Sequence, residues 1–138
     1  DNAYNTFKKI SYDNPDNPDN GMEPYAISNM YIGPESKYRQ GFAPMAWVTG
    51  TAGWMYRAIT EYMIGVRPVK NGLLVKPCFP KHWDKAFICC VFRERKYEIE
   101  FVRAEKEKII FNGKELEGNV LPVGKLGETN IVTVYYAN

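Results

Sequence analysis

Residues 62–75 read YMIGVRPVKNGLLV, and within them the chain changes texture. Upstream, apolar residues recur at helical spacing. Trp54, Ala58 and Tyr62 form one i,i+4 row, Met55, Ile59 and Met63 a neighbouring one, and Arg57 and Glu61 lie opposite. Gly65 stands where a helix needs its C′ residue, and Pro68 prevents continuation. Downstream come GLLVKPCF, AFICCVF, KYEIEFV, KIIFNGKEL, NVLPV and TNIVTVYYA, short β-rich runs separated by turn residues. In KYEIEFV, Tyr97, Ile99 and Phe101 alternate with Glu98 and Glu100, which predicts a strand with one wet face. Asn112-Gly113 predicts a tight hairpin. The fold class is therefore α+β, with helices over residues 1–69 and an antiparallel sheet or sandwich over residues 70–138.

The first half predicts a short helix within residues 2–12. DNPDNPDNG ends it, because each proline pushes its predecessor out of the helical region and Asn and Asp favour local turns. After this surface loop, Asp13–Gly21, the segment EPYAISNMYIG predicts a short, mostly buried helix closing at Gly33-Pro34, and residues 34–42 a second loop. A long amphipathic helix is expected from Met45 to Ile64. Its first half carries Thr49, Gly50, Thr51 and Gly53, poor choices by propensity, glycine costing ~1 kcal/mol against alanine.

Composition narrows the function classes. Of 138 residues, 45% are hydrophobic, enough for a packed core. The net charge is only +2, with basic residues interleaved among acidic ones in RERKYEIE and RAEKEK, so no stripe for nucleic acid exists. No apolar run approaches the ~20 residues of a membrane span, and DNAYNTFKK lacks the order of a signal peptide. A soluble, cytoplasmic protein is expected, with neither nucleic acid nor membrane as partner. Cys78, Cys89 and Cys90 include no CxxC spacing and accompany a single histidine, which argues for buried thiols in a reducing compartment and against a metal site.

The residues able to carry chemistry are few. In Thr49-Gly50-Thr51, free amides at a helix start, a hydroxyl and a glycine admitting close approach make a turn able to hold phosphate. The same residues also read as a cap followed by glycines that allow close packing. Glu23 precedes Pro24 among aromatics, either as a sugar-facing carboxylate or as a first-turn acid favoured by the macrodipole. Asn29 could bond a ligand or cap a turn. His82 lies in the β half and supports no Ser-His-Asp set, and the cysteines sit in apolar β context.

MEPYAISNMYIG, RQGFAPMAWVTGTAGWMYRAITEYMIGVRP and NGLLVKPCFPKHW, in that order, resemble the C-terminal part of the inverting glycoside phosphorylases that include cellobiose and chitobiose phosphorylase. The resemblance implies that residues 1–69 are the last helices of an (α/α)6 catalytic barrel and 70–138 a C-terminal β domain of a longer parent. It implies cleavage of a β-linked disaccharide by inorganic phosphate, a co-substrate, with no other cofactor. It places Thr49 and Gly50 at the phosphate and Glu23 and Asn29 on the sugar side, and puts the aspartate general acid upstream of residue 1. The isolated chain is then expected to be inactive and to pair with the remainder of its parent or with a second copy. Two rival readings are a cyclic β-1,2-glucan synthase module and a carbohydrate-binding or structural module using Trp83, Tyr135 and Tyr136.

Overall fold

The computed structural model describes residues 1–47 and 49–137. They fall into two compact units, Asp1–Ile59 and Thr60–Asn138.

In the first unit, α1 (Asn2–Ile10) carries Lys8 and Lys9 in its last turn, where cations favour the helix dipole. It stops at Ser11, whose hydroxyl donates to Asp13 Oδ1 (2.6 Å) and whose Oγ lies 3.0 Å from the Lys8 carbonyl oxygen. The Asp/Asn/Pro loop is organised by asparagine amides spaced three residues apart. Asn14 Nδ2 donates to Lys9 O, Asn17 Nδ2 to Gly41 O, and Asn20 Nδ2 to both Tyr12 O and Asn17 O. Asn20 Oδ1 in turn accepts from the Met22 amide. What this unit hides from water is accordingly small or polar: Ser11, Asn14, Asn20, Ser28, Ala43 and Ala46.

No helix forms in EPYAISNMYIG. Pro24 occupies the second position of a turn closed by the Ala26 amide on Glu23 O (3.2 Å), with Tyr25 at φ 63° and 89% exposed. A proline that presets φ, followed by a positive φ, is turn chemistry that overrides the apolar pattern. Beyond the turn the chain is extended and runs antiparallel to residues 42–45, the Asn29 amide bonding Met45 O and the Ile32 amide Phe42 O. The expected helix from Met45 is shortened at its start: α2 spans Thr51–Arg57 and passes into a π-helical turn, Ala58–Met63. The poor helix formers thus lie before or in its first turn, and Val48 lies outside the described residues. Of the two apolar rows, Trp54, Ala58 and Tyr62 are exposed, while Met55 and Ile59 are half-buried and Met63 is buried.

The second unit holds eight strands in two sheets. One has order β1 (Val66–Val69), β2 (Gly72–Val75), β7 (Val120–Leu121). The other has order β3 (Lys85–Phe92), β4 (Arg95–Arg103), β8 (Thr129–Tyr136), β5 (Lys108–Phe111), β6 (Lys114–Leu116). Every pairing is antiparallel except one: β4 and β8 run parallel, because β8 returns after the crossover through residues 104–128. Gly65 adopts φ 78° and bonds the Lys76 amide through its carbonyl, while a Cβ there would collide with the Lys76 carbonyl. Asn112-Gly113 turns between β5 and β6 with both φ positive, 48° and 81°. The core takes Val66, Leu73, Val75 and Leu121 from the smaller sheet, Phe79 from the connection, and Tyr97, Ile99, Phe101, Ile109, Val132, Val134 and Tyr136 from the larger. Each large side chain fully buried there contributes about 1.5–3 kcal/mol.

Polar groups inside this core are partnered. Tyr97 donates its hydroxyl to Pro122 O (3.2 Å) and accepts from the Gly124 amide (2.9 Å). Asn130, fully buried, donates to Lys96 O and accepts from Asn112 Nδ2. The cysteines depart from the burial expected of them: Cys78 and Cys89 are exposed and only Cys90 is half-buried. Adjacent positions on a strand face opposite sides, so at most one of Cys89 and Cys90 can enter the core.

Candidate functional site

The four site residues read from the sequence lie in the first unit. The antiparallel stretch of residues 29–32 against 42–45 brings them toward the start of α2. Thr49 is half-buried, and its Oγ1 accepts the Thr51 amide (2.8 Å), which fixes the turn into α2. That bond uses the oxygen as acceptor and leaves the hydroxyl proton to donate elsewhere. Gly50 is exposed as the helix N-cap, its carbonyl receiving the Trp54 amide (3.2 Å), so no side chain stands over this backbone.

Glu23 is held by one oxygen. Trp47 Nε1 donates to Glu23 Oε1 (2.9 Å), tying the carboxylate to the segment entering α2, while Glu23 Oε2 is buried and has no hydrogen-bond partner. A buried carboxylate oxygen left unpaired is unusual enough to mark a place where a further donor is wanted. The aromatic neighbours of Glu23 drew attention to it in the sequence, whereas its contact with Trp47 was signalled only by the indole N–H, a donor that seeks a partner.

Asn29 is exposed and lines a cavity of about 190 Å³ with Ile10, Ile27, Ser28, Met30, Tyr31 and Thr51. The structure therefore brings Asn29 and the first residue of α2 to one cavity, and Glu23 to Trp47, two residues before Thr49. Tyr31 on this wall has its phenol pushed up in pKa by burial. No cluster of His, Cys, Asp and Glu suited to a metal exists among the described residues.

The β unit offers less. Tyr136 is buried and donates its hydroxyl to Trp83 O (2.6 Å), and Trp83 itself is half-buried against Phe79, so the exposed aromatic platform of the binding-module reading does not form. His82 is exposed and meets the Trp83 ring edge-on at 6.4 Å. Among the described residues no helix is long and apolar enough to cross a membrane.

Comparison with known proteins shows the family. The family described as "Glycosyl hydrolase 94 superfamily, catalytic domain" matches residues 1–65. Solabiose phosphorylase of Paenibacillus borealis is 39% identical over 139 residues, 96% of this chain and 18% of that protein. N,N'-diacetylchitobiose phosphorylase of Vibrio proteolyticus is 30% identical over 117 residues, 81% of this chain and 14% of that protein. A 3-O-beta-D-glucopyranosyl-beta-D-glucuronide phosphorylase, also of Paenibacillus borealis, is 34% identical over 99 residues, 70% of this chain and 13% of that protein. The chain thus spans less than a fifth of the length of the curated relatives it matches. With the catalytic-domain match over its helical part and disaccharide phosphorylases along the rest, the chain belongs to the cellobiose and chitobiose phosphorylase family.

Proposed function

We propose that this chain acts as part of a longer glycoside phosphorylase that cleaves a β-linked disaccharide with inorganic phosphate, inverting the anomeric carbon to give an α-sugar 1-phosphate. The observation that carries the reading is the polar groups still unspent around the entry to α2: the Thr49 hydroxyl proton, the open Gly50 backbone and the buried Glu23 Oε2. Thr49 and Gly50 take the phosphate side, the hydroxyl donating to a phosphate oxygen. Glu23 and Asn29 take the sugar side, where Glu23 Oε2 accepts a sugar hydroxyl and the Asn29 amide bonds another.

In this mechanism a phosphate oxygen forms the new bond to the anomeric carbon as the glycosidic C–O bond breaks on the opposite face. The leaving oxygen takes its proton from an acid supplied elsewhere in the longer protein. Phosphate fills the place of the activated water in an inverting hydrolase, so this chain needs no second catalytic carboxylate.

The test is phosphorolysis of cellobiose and N,N'-diacetylchitobiose followed by phosphorus NMR. The 138-residue chain alone is expected to release no sugar phosphate, and the parent protein to release the α anomer. In the parent, Thr49→Ala is expected to raise the KM for phosphate about 10–100-fold, the loss of one hydrogen bond to a charged group, with Thr49→Ser restoring most of it. Turnover by the isolated chain, a β product, or an unchanged phosphate KM would each refute the assignment.

A further inference from the structure

A glutamate does not aim its carboxylate unaided. Its last torsion is broad and nearly two-fold, so the two oxygens exchange places at little cost unless something holds one of them. Two restraints meet at Glu23. Its carbonyl accepts the Ala26 amide (3.2 Å), closing the turn in which Pro24 presets its own φ and Tyr25 stands at φ 63°. Its Oε1 accepts the indole N–H of Trp47 (2.9 Å). The backbone and one carboxylate oxygen are thereby fixed, and Oε2, buried and without a hydrogen-bond partner, is the oxygen left to act.

The donor suits that task. An indole N–H donates and cannot accept, and it is neutral, so it orients the carboxylate without imposing the ion pair that a lysine or arginine would bring. The Trp47 ring is 85% exposed, so burial within this unit does not account for its place, whereas the bond to Glu23 does. Trp47 also stands two residues before Thr49, whose Oγ1 accepts the Thr51 amide (2.8 Å). One short segment therefore carries both the restraint on the carboxylate and the turn into α2.

We infer that Trp47 is a positioning residue for sugar recognition: its N–H engages Glu23 Oε1 and so presents Oε2 to a sugar hydroxyl. The inference rests on the phosphorylase reading above and adds to it a residue that touches no reacting atom. Its contribution is preorganisation, since a carboxylate already held in place loses less freedom when the sugar binds. Removing the indole N–H acts through the released carboxylate, and the phosphate side is left as it was.

The test has two arms. In the 138-residue chain, the indole N–H resonance of Trp47 in a proton–nitrogen correlation spectrum, identified by its loss in Trp47→Phe, is expected to move upfield in Glu23→Ala, where its acceptor is gone. An unmoved resonance overturns the inference. In the parent enzyme, Trp47→Phe keeps a ring and removes the donor. It is expected to raise the KM for the disaccharide about tenfold and to leave the KM for phosphate within about twofold, which also shows that the variant folds. In a Glu23→Ala background the same substitution is expected to change kcat/KM by less than about twofold, because a residue that acts through Glu23 has nothing left to act on. An equal rise in both KM values would make Trp47 a support of the Thr49 turn, and an undiminished effect in the absence of Glu23 would give it a sugar contact of its own; either overturns the positioning role. A parent that cleaves no β-linked disaccharide, while the resonance still answers to Glu23, marks failure of the phosphorylase reading itself and takes the positioning role with it.

Discussion

In residues 60–138 the groups most removed from water are Tyr97, Ile99, Phe101, Leu121, Val75, Val132 and Pro80, with Asn130 the one polar side chain among them; in residues 1–59 they are Asn20, Asn14, Ser11, Ser28 and two alanines. The same comparison reverses at the surface. Tyr25, Tyr38, Trp47, Trp54 and Tyr56, each at least 70% exposed, all belong to the first unit. One unit is held by apolar burial, which is non-directional and scales with area. The other is held by directed side-chain bonds to backbone carbonyls, each a modest net contribution but costly to break once buried. A unit of the second kind leaves its aromatic surface exposed.

The sharpest way to break this contrast is Phe101→Ala. It empties a fully buried position against Phe79 and is expected to cost about 3–5 kcal/mol in denaturant unfolding. Asn20→Ala removes three hydrogen bonds at once and strands the Tyr12 and Asn17 carbonyls. A loss of about 2–4 kcal/mol is expected, appearing as faster amide exchange in the Asp/Asn/Pro loop while β4 and β8 stay protected. Uniform exchange across both units would mean that they do not differ as described.

Thiol labelling sharpens the β unit alone. Cys78 and Cys89 are exposed, whereas burial, with a smaller contribution from the neighbouring Cys89, pushes the Cys90 thiol up. At pH 8, Cys78 and Cys89 are expected to alkylate about tenfold faster than Cys90, read by peptide mass mapping. Equal rates would place Cys90 on the outer face and the register of β3 in error.

The smallest effect concerns the end of α1. The Ser11 hydroxyl, and after it the Lys8 ammonium at 2.9 Å, hold the Asp13 carboxyl below the usual carboxylate range. A depressed value stabilises the folded form above the unfolded pKa, near 3.9, and that contribution is lost as pH falls through the folded one. Helical circular dichroism from α1 is therefore expected to persist to about pH 4 and fade below it, and Asp13→Asn to abolish the step. Fading between pH 7 and 5 would contradict the assignment.

The β half was legible because its signals are local. Alternation predicted the faces of β4, and Asn112-Gly113 the β5–β6 hairpin. The parallel insertion of β8 was not, since nothing within TNIVTVYYA specifies which strands it joins. In the first half, aromatic density over residues 23–33 suggested a buried helix, yet Pro24 and Tyr25 turn and the rings face out. Periodicity cannot tell a face covered within this chain from one covered elsewhere. Thr49 and Gly50 stood out in the sequence because they violate helix propensity. The Trp47–Glu23 link joins positions far apart in sequence, and no short motif announces it.

The place of β8 has a consequence for how the β unit comes into being. β3–β4 and β5–β6 are hairpins that can close while the chain is still being made, but neither can join the other until the strand between them arrives, and that strand is the last of the eight to be synthesised. Each half-sheet must wait with one extra naked edge, so cooperative closure is postponed to the moment residues 129–136 emerge from the ribosome. Non-local pairing of this kind slows folding and lengthens exposure to aggregation.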